Sequence, residues 1–153
     1  MDLNRFLWVV AILLVCSSER ARAAEPPSDL CSLLPSATVS KIMGRSYGSP
    51  EKKVAPRPLR NTNEGTDCVY GGFNGLLFRV YVDPSPSASA DLFAKLKGYL
   101  GSGSTAVSGV GDEAYLDKEK GLHVRKGKVR YFLDGAGTSK QKSDLAVGIA
   151  AQL

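Results

Sequence analysis

The sequence predicts an α+β domain in which an antiparallel sheet built from hairpins carries helices packed on one face. Short apolar runs are joined by the tight-turn dipeptides Asn74-Gly75 and Lys126-Gly127, which favour antiparallel hairpins over parallel strands. Three segments with apolar residues at helical spacing alternate with these strands. The order helix, strands, helix, strands, helix is typical of a weak internal duplication of an αβββ unit.

The first 23 residues have the pattern of a secretory signal peptide. A polar start containing Arg5 precedes an unbroken apolar run over residues 6–16, and Ala21-Arg22-Ala23 gives the small-x-small pattern of a cleavage site. The run of 11 residues is shorter than the roughly 20 that a membrane-spanning helix needs. We therefore expect cleavage after Ala23, export to a secreted or periplasmic location, and no transmembrane span in the mature chain.

An alternative leader pattern is present at Leu13-Leu14-Val15-Cys16. It resembles a lipoprotein box, in which Cys16 would be the lipidated first residue of the mature protein. Val15 is bulkier than the Gly, Ala or Ser that such boxes favour, so cleavage after Ala23 is the preferred interpretation. A lipid anchor through Cys16 stays open as the alternative.

The 130 residues after the leader are enough for one domain with a hydrophobic core. We assign residues 24–35 to a lead-in and residues 36–153 to a single α+β domain. Of the 20 basic and 15 acidic side chains, three basic and two acidic ones lie in the leader, which leaves 17 and 13. This modest positive balance lacks the dense basic stripe of a nucleic-acid-binding protein, so nucleic acid is not an expected partner.

In the first half of the domain, Pro35 and Ser36 begin a helix over residues 36–43, which Gly44 ends. Residues 45–66 contain three prolines and predict a long loop or a ragged edge strand. Strands over residues 68–73 and 76–82 follow, and a type I′ turn between them would set Val69 opposite Val80. In that register the Cys31 segment would cover the half-polar opposite face, which carries Cys68, Tyr70, Leu77, Arg79 and Tyr81.

The second half repeats this order. A helix is expected over residues 89–100, followed by short strands over residues 113–117, 122–125 and 128–134 and by a last helix over residues 139–153. With a two-residue turn at Lys126-Gly127, one apolar face would be formed by Leu122, Val124, Val129, Tyr131 and Leu133.

Two cysteines remain after cleavage, Cys31 and Cys68. An even number in an exported domain predicts one disulfide, which would close a loop of about 37 residues. Two cysteines without clustered histidines cannot complete a tetrahedral metal site, so we expect neither a metal nor a cofactor.

The segment Gly109-Val110-Gly111-Asp112-Glu113-Ala114 matches the G-x-G-x-x-A pattern of dinucleotide-binding proteins, but a strand rather than a helix is expected to follow it. We therefore interpret Gly109, Gly111 and Asp112 as a turn motif. The adjacent carboxylates Asp112 and Glu113 lack the acidic neighbours that a calcium site needs.

Four basic or titratable side chains share one face of the second hairpin: His123, Arg125, Lys128 and Arg130. The expected turn sets Arg125 opposite Lys128 and His123 opposite Arg130, and like charges in such positions destabilise a hairpin. Either Asp117 or Glu113 on a neighbouring strand offsets these charges, or the face binds an anionic ligand, an envelope component or a membrane surface.

Several short motifs resemble a family of small secreted and lipoprotein domains of unknown function that are common in actinobacteria and other soil bacteria. These motifs are Asp29-Leu30-Cys31-Ser32-Leu33-Leu34 before a short helix, Cys68-Val69-Tyr70 in a strand, and the segment 109–114 before a strand. The resemblance implies an exported α+β domain with a Cys31–Cys68 bridge and no assigned catalytic residues.

Three functions remain open from the sequence. The preferred one is a non-catalytic binding or accessory module of the cell envelope. The second is a secreted hydrolase whose site is assembled from scattered residues such as Asp112, Tyr115 and His123, although no recognised catalytic motif is present. The third is a lipid-anchored sensing or structural domain. An apolar pocket with convergent polar groups would favour ligand binding, and a carboxylate beside His123 would favour an enzyme.

Overall fold

The computed structural model describes residues 25–153, in which three α-helices and seven strands are present. The helices are α1 (Ser36–Met43), α2 (Pro86–Leu100) and α3 (Ser139–Ala150). The strands are β1 (Glu51–Ala55), β2 (Gly65–Tyr70), β3 (Leu76–Val82), β4 (Thr105–Ala106), β5 (Glu113–Leu116), β6 (Leu122–Lys126) and β7 (Val129–Gly135). The expected cleavage after Ala23 and the alternative lipid site at Cys16 lie outside the described residues. None of the described helices has the length and apolar character to cross a membrane.

Local sequence sets the helix boundaries. Helix α1 ends as predicted at Gly44, which adopts the left-handed conformation with φ of 70°. Helix α2 begins three residues earlier than predicted, because the Ser85 hydroxyl caps it and Pro86 occupies its first position. Helix α3 begins with a capping box formed by Thr138 and Gln141.

The strands form one antiparallel sheet in the order β1-β2-β3-β7-β6-β5-β4. Each half of the chain contributes a helix followed by a meander, and the last strands of the two halves, β3 and β7, pair along seven residues at the centre. The predicted α+β class is confirmed. The arrangement also agrees with the expected αβββ duplication, with β4 as a short additional strand in the second half.

The main core lies between one sheet face and the helices α1 and α3. Its sheet side is formed by buried residues of five strands, Cys68, Phe78, Val80, Ala114, Leu122, Val124, Tyr131 and Leu133. The Tyr131 hydroxyl donates to the Ala146 carbonyl of α3 at 2.7 Å. The predicted disulfide between Cys31 and Cys68 is confirmed and joins the turn at Leu30–Leu33 to β2, with a Cα–Cα distance of 5.8 Å.

The register of the β2–β3 hairpin differs from the predicted one. Cys68 pairs with Phe78, because the loop spans residues 71–75 and its first two glycines are left-handed, instead of a two-residue turn at Asn74-Gly75. A register change by an odd number of residues moves every side chain of one strand to the other face. Cys68 therefore lies in the core below Cys31, and the predicted face assignment of β2 is wrong.

Helix α2 lies against the other face of the sheet. Phe93 contacts Tyr115 of β5 with ring centroids 5.0 Å apart, and Lys97 reaches Glu113 at 3.5 Å. These two strand residues flank Ala114, which belongs to the main core, so they project to the opposite face. The expected single layer of helices holds for α1 and α3. Helix α2 forms a second layer because the outer face of β5–β7 carries a cluster of rings, Tyr115, His123 and Phe132, among its charged side chains.

Candidate functional site

A row of side chains crosses five strands on the face that α2 covers. The register places Asp67 beside Arg79, then Phe132, His123 and Tyr115, from β2 to β5. Directly paired residues project to the same face of a sheet. These five residues, called the floor row below, form a continuous surface under α2.

His123 lies in the middle of the floor row between two aromatic rings. Its centroid is 4.6 Å from the nearly parallel ring of Tyr115 and 4.4 Å from that of Phe132. Its Nε2 lies 2.9 Å from Oδ2 of Asp117, whose Oδ1 accepts a hydrogen bond from the Gly121 N–H at 2.8 Å. Because the carboxylate can only accept, Nε2 is assigned the proton and Nδ1 remains as the acceptor.

Burial determines the charge states of this pair. Desolvation lowers the pKa of His123 below its ordinary value of 6.5, although Asp117 and Asp134 oppose the change. For Asp117, burial favours the neutral acid, but hydrogen bonds from His123 and Gly121 outweigh that effect and lower its pKa. At neutral pH the pair is therefore a neutral imidazole beside a carboxylate.

We expect acidification to destabilise the fold in two stages. A group whose pKa is lower in the folded state stabilises the protein above its unfolded pKa and loses that contribution as the pH falls through its folded pKa. His123 is the one histidine of the chain, and the stability that it contributes is lost as the pH falls below its ordinary pKa of 6.5. Below pH 3.8, the ordinary pKa of Asp117, the contribution of Asp117 is lost as well. Urea unfolding between about pH 7.5 and 5 measures the first stage. His123→Phe, which retains a stacked ring, should make the free energy of unfolding nearly independent of pH in this interval. An unchanged pH dependence would contradict the lowered pKa of His123.

Two arginines on the same face are neutralised by aspartates. Arg79 donates to both carboxylate oxygens of Asp67 at 2.7 and 2.8 Å. Arg130 makes the same two-point contact with Asp83 at 2.6 and 3.0 Å, and both of these side chains are at most 5% exposed. The Arg130 guanidinium also lies 5.0 Å from the Tyr81 ring centroid. The pairs fix the arginines without leaving an uncompensated positive charge.

Helix α2 covers the floor row. A cavity of about 250 Å³, called the α2 cleft below, lies between the helix and the row. It is lined from the helix by Phe93, Leu96 and Leu100 and from the β1–β2 loop by Pro58. Tyr99 also lines it but is 76% exposed, which places this side chain at the rim. At about 250 Å³ the cleft is smaller than most ligand pockets, which measure about 300–1,000 Å³, but it shares their mostly apolar lining, so only a small molecule fits it.

One polar group in the α2 cleft is unpaired. Tyr115 is 0% exposed, and its hydroxyl has no hydrogen-bond partner among the protein groups of residues 25–153. The hydroxyl of Tyr81, which also lines the cleft, donates to the Pro56 carbonyl at 2.8 Å. Buried polar groups are nearly always paired, so this hydroxyl is an exception. It is closed to a water-sized probe, so a molecule held in the cleft does not reach it in this arrangement.

The second hairpin also has a different register from the predicted one. Arg125 pairs with Arg130 and His123 with Phe132, because the two-residue loop is Gly127-Lys128 instead of Lys126-Gly127. The expected pairing of His123 with Arg130 is therefore wrong. The change is by an even number of residues, so the predicted apolar face of this hairpin is retained.

The basic face proposed for an anionic ligand is offset by carboxylates. Each of its four members has an acidic partner, in the pairs His123–Asp117, Arg125–Asp112, Lys128–Glu25 and Arg130–Asp83. The like charges of these four residues are thus offset within the protein, and Arg130 is buried. Asp112 is shared with a further cation of the hairpin, Lys126, at 3.0 Å. An anionic ligand at this hairpin stays a prediction, and it would compete with four carboxylates.

The motif of Gly109, Gly111 and Asp112 lies in a turn against the second hairpin. Both glycines are left-handed, with φ of 76° and 60°, and a Cβ at Gly111 would lie 2.6 Å from the Arg125 carbonyl oxygen. The Asp112 carboxylate accepts from the Gly127 N–H at 2.7 Å. This turn therefore holds the β6–β7 hairpin in place, which is a structural role.

The described residues contain a larger cavity of about 500 Å³ beside the first half of α2. It is lined by the loop over residues 59–63 and by exposed charged side chains such as Asp91 and Lys95. These groups are well solvated, so this cavity offers a ligand less apolar contact surface than the aromatic α2 cleft. Within residues 25–153, no group of three or more His, Cys, Asp and Glu side chains could hold a metal ion.

The α2 cleft was not predicted as a site, although His123 and Arg130 belong to the predicted basic face and Tyr115 to the hydrolase alternative. The usable signal is the apolar pattern of α2, including Phe93 and Leu96, which requires a partner surface. Outward-facing aromatic residues on the strands, Tyr115 and Phe132, supply that surface. The apolar pattern of α2 does not reveal which strands it packs against, and the strand residues do not reveal which helix covers them, because the contact joins distant parts of the chain.

The resemblance to secreted and lipoprotein domains rests on short motifs and stays a prediction. In comparisons with known proteins, no family model matches this chain and no curated protein is significantly similar to it.

Proposed function

We propose that this protein is an exported, non-catalytic binding module of the cell envelope that holds a small apolar molecule in the α2 cleft. The observation that carries the proposal is the aromatic cavity between the floor row and α2. A mostly apolar pocket with a few convergent polar groups is the arrangement typical of small-molecule sites.

Two features support export. Disulfides persist mainly in oxidising compartments, and the buried bridge between Cys31 and Cys68 fits a secreted or periplasmic protein. The first 23 residues supply the pattern of an export signal. The proposed role in the cell envelope is consistent with such a location.

Binding of a neutral fluorescent probe tests the function. We expect 6-propionyl-2-(dimethylamino)naphthalene to bind the mature protein saturably, with blue-shifted emission, because the α2 cleft is apolar and the probe is flat and uncharged. Leu96→Trp, which fills the cleft, should abolish binding. Leu92→Trp is the matched control, because Leu92 lies one turn earlier on α2 and lines the other cavity.

Two results would contradict this site. Binding that survives Leu96→Trp would place the probe elsewhere. An equal loss of probe binding in both tryptophan variants would show that the substitutions disturb α2 instead of filling the cleft. Circular dichroism of each variant checks that the helices remain.

The hydrolase alternative has one observation in its favour. The His123–Asp117 contact of 2.9 Å resembles the base and orienting carboxylate of an acid–base pair. Asp112, however, binds the Gly127 N–H, and Tyr115 stacks parallel to His123 instead of hydrogen bonding to it. Among residues 25–153, no hydroxyl or thiol is hydrogen bonded to the imidazole, so the pair lacks a nucleophile and binding is the better-supported function.

A further inference from the structure

His123 presents a second unpaired polar atom, which is open where the Tyr115 hydroxyl is closed. Within residues 25–153 the imidazole makes one hydrogen bond, from Nε2 to Asp117 at 2.9 Å, so Nδ1 keeps an unpaired lone pair. The unpaired side-chain atoms of the described residues that are closed to water are Ser89 Oγ, Tyr115 Oη and Arg125 Nε. Nδ1 of His123 is not among them, so this acceptor is accessible.

The neighbours of the imidazole determine which way Nδ1 faces. The ring stacks against Tyr115 and Phe132 on the two adjacent strands, so its plane runs along the strand direction. The two nitrogens of an imidazole lie on opposite edges of the ring. Because Nε2 meets Asp117 at one end of the strands, Nδ1 is directed towards the other end.

The α2 cleft lies on that same side of His123. Strands β5 and β7 run in the same direction, and Asp117 and Asp134 lie two residues beyond Tyr115 and Phe132. Neither of these aspartates lines the cleft. Arg130 lies two residues before Phe132, pairs with Tyr81 of β3, and lines the cleft together with it. Nδ1 therefore faces the cleft.

A ligand that enters the cleft covers this acceptor. An acceptor that is removed from water without a new partner costs free energy, and a donor on the ligand offsets that cost. Burial lowers the pKa of His123, so at neutral pH Nδ1 carries no proton and can only accept. A ligand with an O–H or N–H group is therefore favoured over one of the same shape that lacks it.

The charges around the cleft favour an uncharged ligand. Its two cationic lining residues, Arg79 and Arg130, are each held by two hydrogen bonds to an aspartate. An anion that entered the cleft would lose its hydration and would gain no unpaired cation among the described lining residues.

The lining also favours an aromatic ligand. Phe93 contributes a ring from α2, and Tyr81, Tyr115 and Phe132 contribute rings from the sheet. Aromatic rings attract one another in offset-stacked and edge-to-face arrangements. The volume of about 250 Å³ limits such a ligand to a small ring system.

We infer that the α2 cleft selects a small, neutral aromatic molecule whose O–H or N–H group donates a hydrogen bond to Nδ1 of His123. Phenols and indoles belong to this class. The inference rests on the proposed binding function and adds the chemical class of the ligand. His123 determines the specificity, and the apolar lining supplies most of the contact.

A matched pair of ligands tests the inference. 2-Naphthol and 2-methylnaphthalene have nearly the same shape, but only the first carries a donor. Displacement of the fluorescent probe at neutral pH gives the affinity of each for the wild type, for His123→Phe and for Tyr99→Phe. His123→Phe keeps an aromatic ring in the stack but removes the acceptor. Tyr99→Phe is the control, because it removes a hydroxyl from the exposed rim of the same cleft.

The affinity for 2-naphthol divided by that for 2-methylnaphthalene should be about tenfold higher in the wild type than in His123→Phe, because one hydrogen bond is lost. Tyr99→Phe should keep the wild-type ratio. The same ratio in all three proteins would overturn the inference while leaving the cleft as a binding site. Failure of both ligands to displace the probe from the wild type would instead overturn the proposed function.

The single histidine of the chain gives a second readout that needs no substitution. In protein labelled with ¹⁵N-histidine, the unprotonated Nδ1 and the protonated Nε2 give separate resonances. We expect 2-naphthol to move the Nδ1 resonance upfield, because accepting a hydrogen bond shields an imidazole nitrogen, and 2-methylnaphthalene to leave it nearly unchanged. A protonated Nδ1 in the free protein, or an equal response to both ligands, would contradict the inference.

Discussion

Asp83→Ala is expected to destabilise the protein by about 3–5 kcal/mol, the range for removing one partner of a buried ion pair. The substitution leaves the Arg130 guanidinium buried without the carboxylate to which it donates hydrogen bonds of 2.6 and 3.0 Å in the wild type. Chemical denaturation at neutral pH measures the loss. Replacing both partners by apolar residues, as Asp83→Leu with Arg130→Met, should recover most of it.

An exposed pair provides the control for this prediction. Arg57 and Glu64 lie 3.5 Å apart, and both side chains are more than half exposed. Glu64→Ala should therefore cost less than about 1 kcal/mol. If Asp83→Ala were as mild as Glu64→Ala, the Arg130–Asp83 pair would have to be hydrated instead of buried.

Cys31→Ser and Cys68→Ser are each expected to lower the free energy of unfolding by about 3–4 kcal/mol, by the chain-entropy model. The bridge spans 37 residues and joins the turn at Leu30–Leu33 to β2, and both cysteines lie in the core. Because either substitution removes the same bond, the double variant should lose little more than one single variant.

Urea denaturation of the three variants under oxidising conditions tests this prediction. Non-reducing peptide mapping of the wild type verifies the bond itself. Single variants within about 1 kcal/mol of the wild type, or recovery of both cysteines as free thiols, would contradict it.

Local sequence signals predict the helices well. Gly44 ends α1 at the expected residue, since a glycine can adopt the left-handed conformation there at little cost. The hairpin registers are predicted less well because several turn placements fit the same glycines. Residues 71–75 form a wider loop than the Asn74-Gly75 dipeptide suggests, and the second turn begins at Gly127 instead of Lys126.

The α2 cleft could not be predicted from local patterns. Phe93 of α2 meets Tyr115 of β5 across the sheet, and no turn or periodicity connects these segments. His123 alternates with Leu122 and Val124 of the predicted apolar face, and it projects away from the main core, as that pattern indicates. Its burial under α2, however, depends on how the two halves of the chain assemble.

Intermolecular nuclear Overhauser effects between bound 6-propionyl-2-(dimethylamino)naphthalene and the protein locate the ligand most directly. We expect effects from the naphthalene protons to side chains of Phe93, Leu96 and Phe132. Effects to the loop over residues 59–63, or a set scattered over the surface with none under α2, would contradict the assignment of the α2 cleft as the binding site.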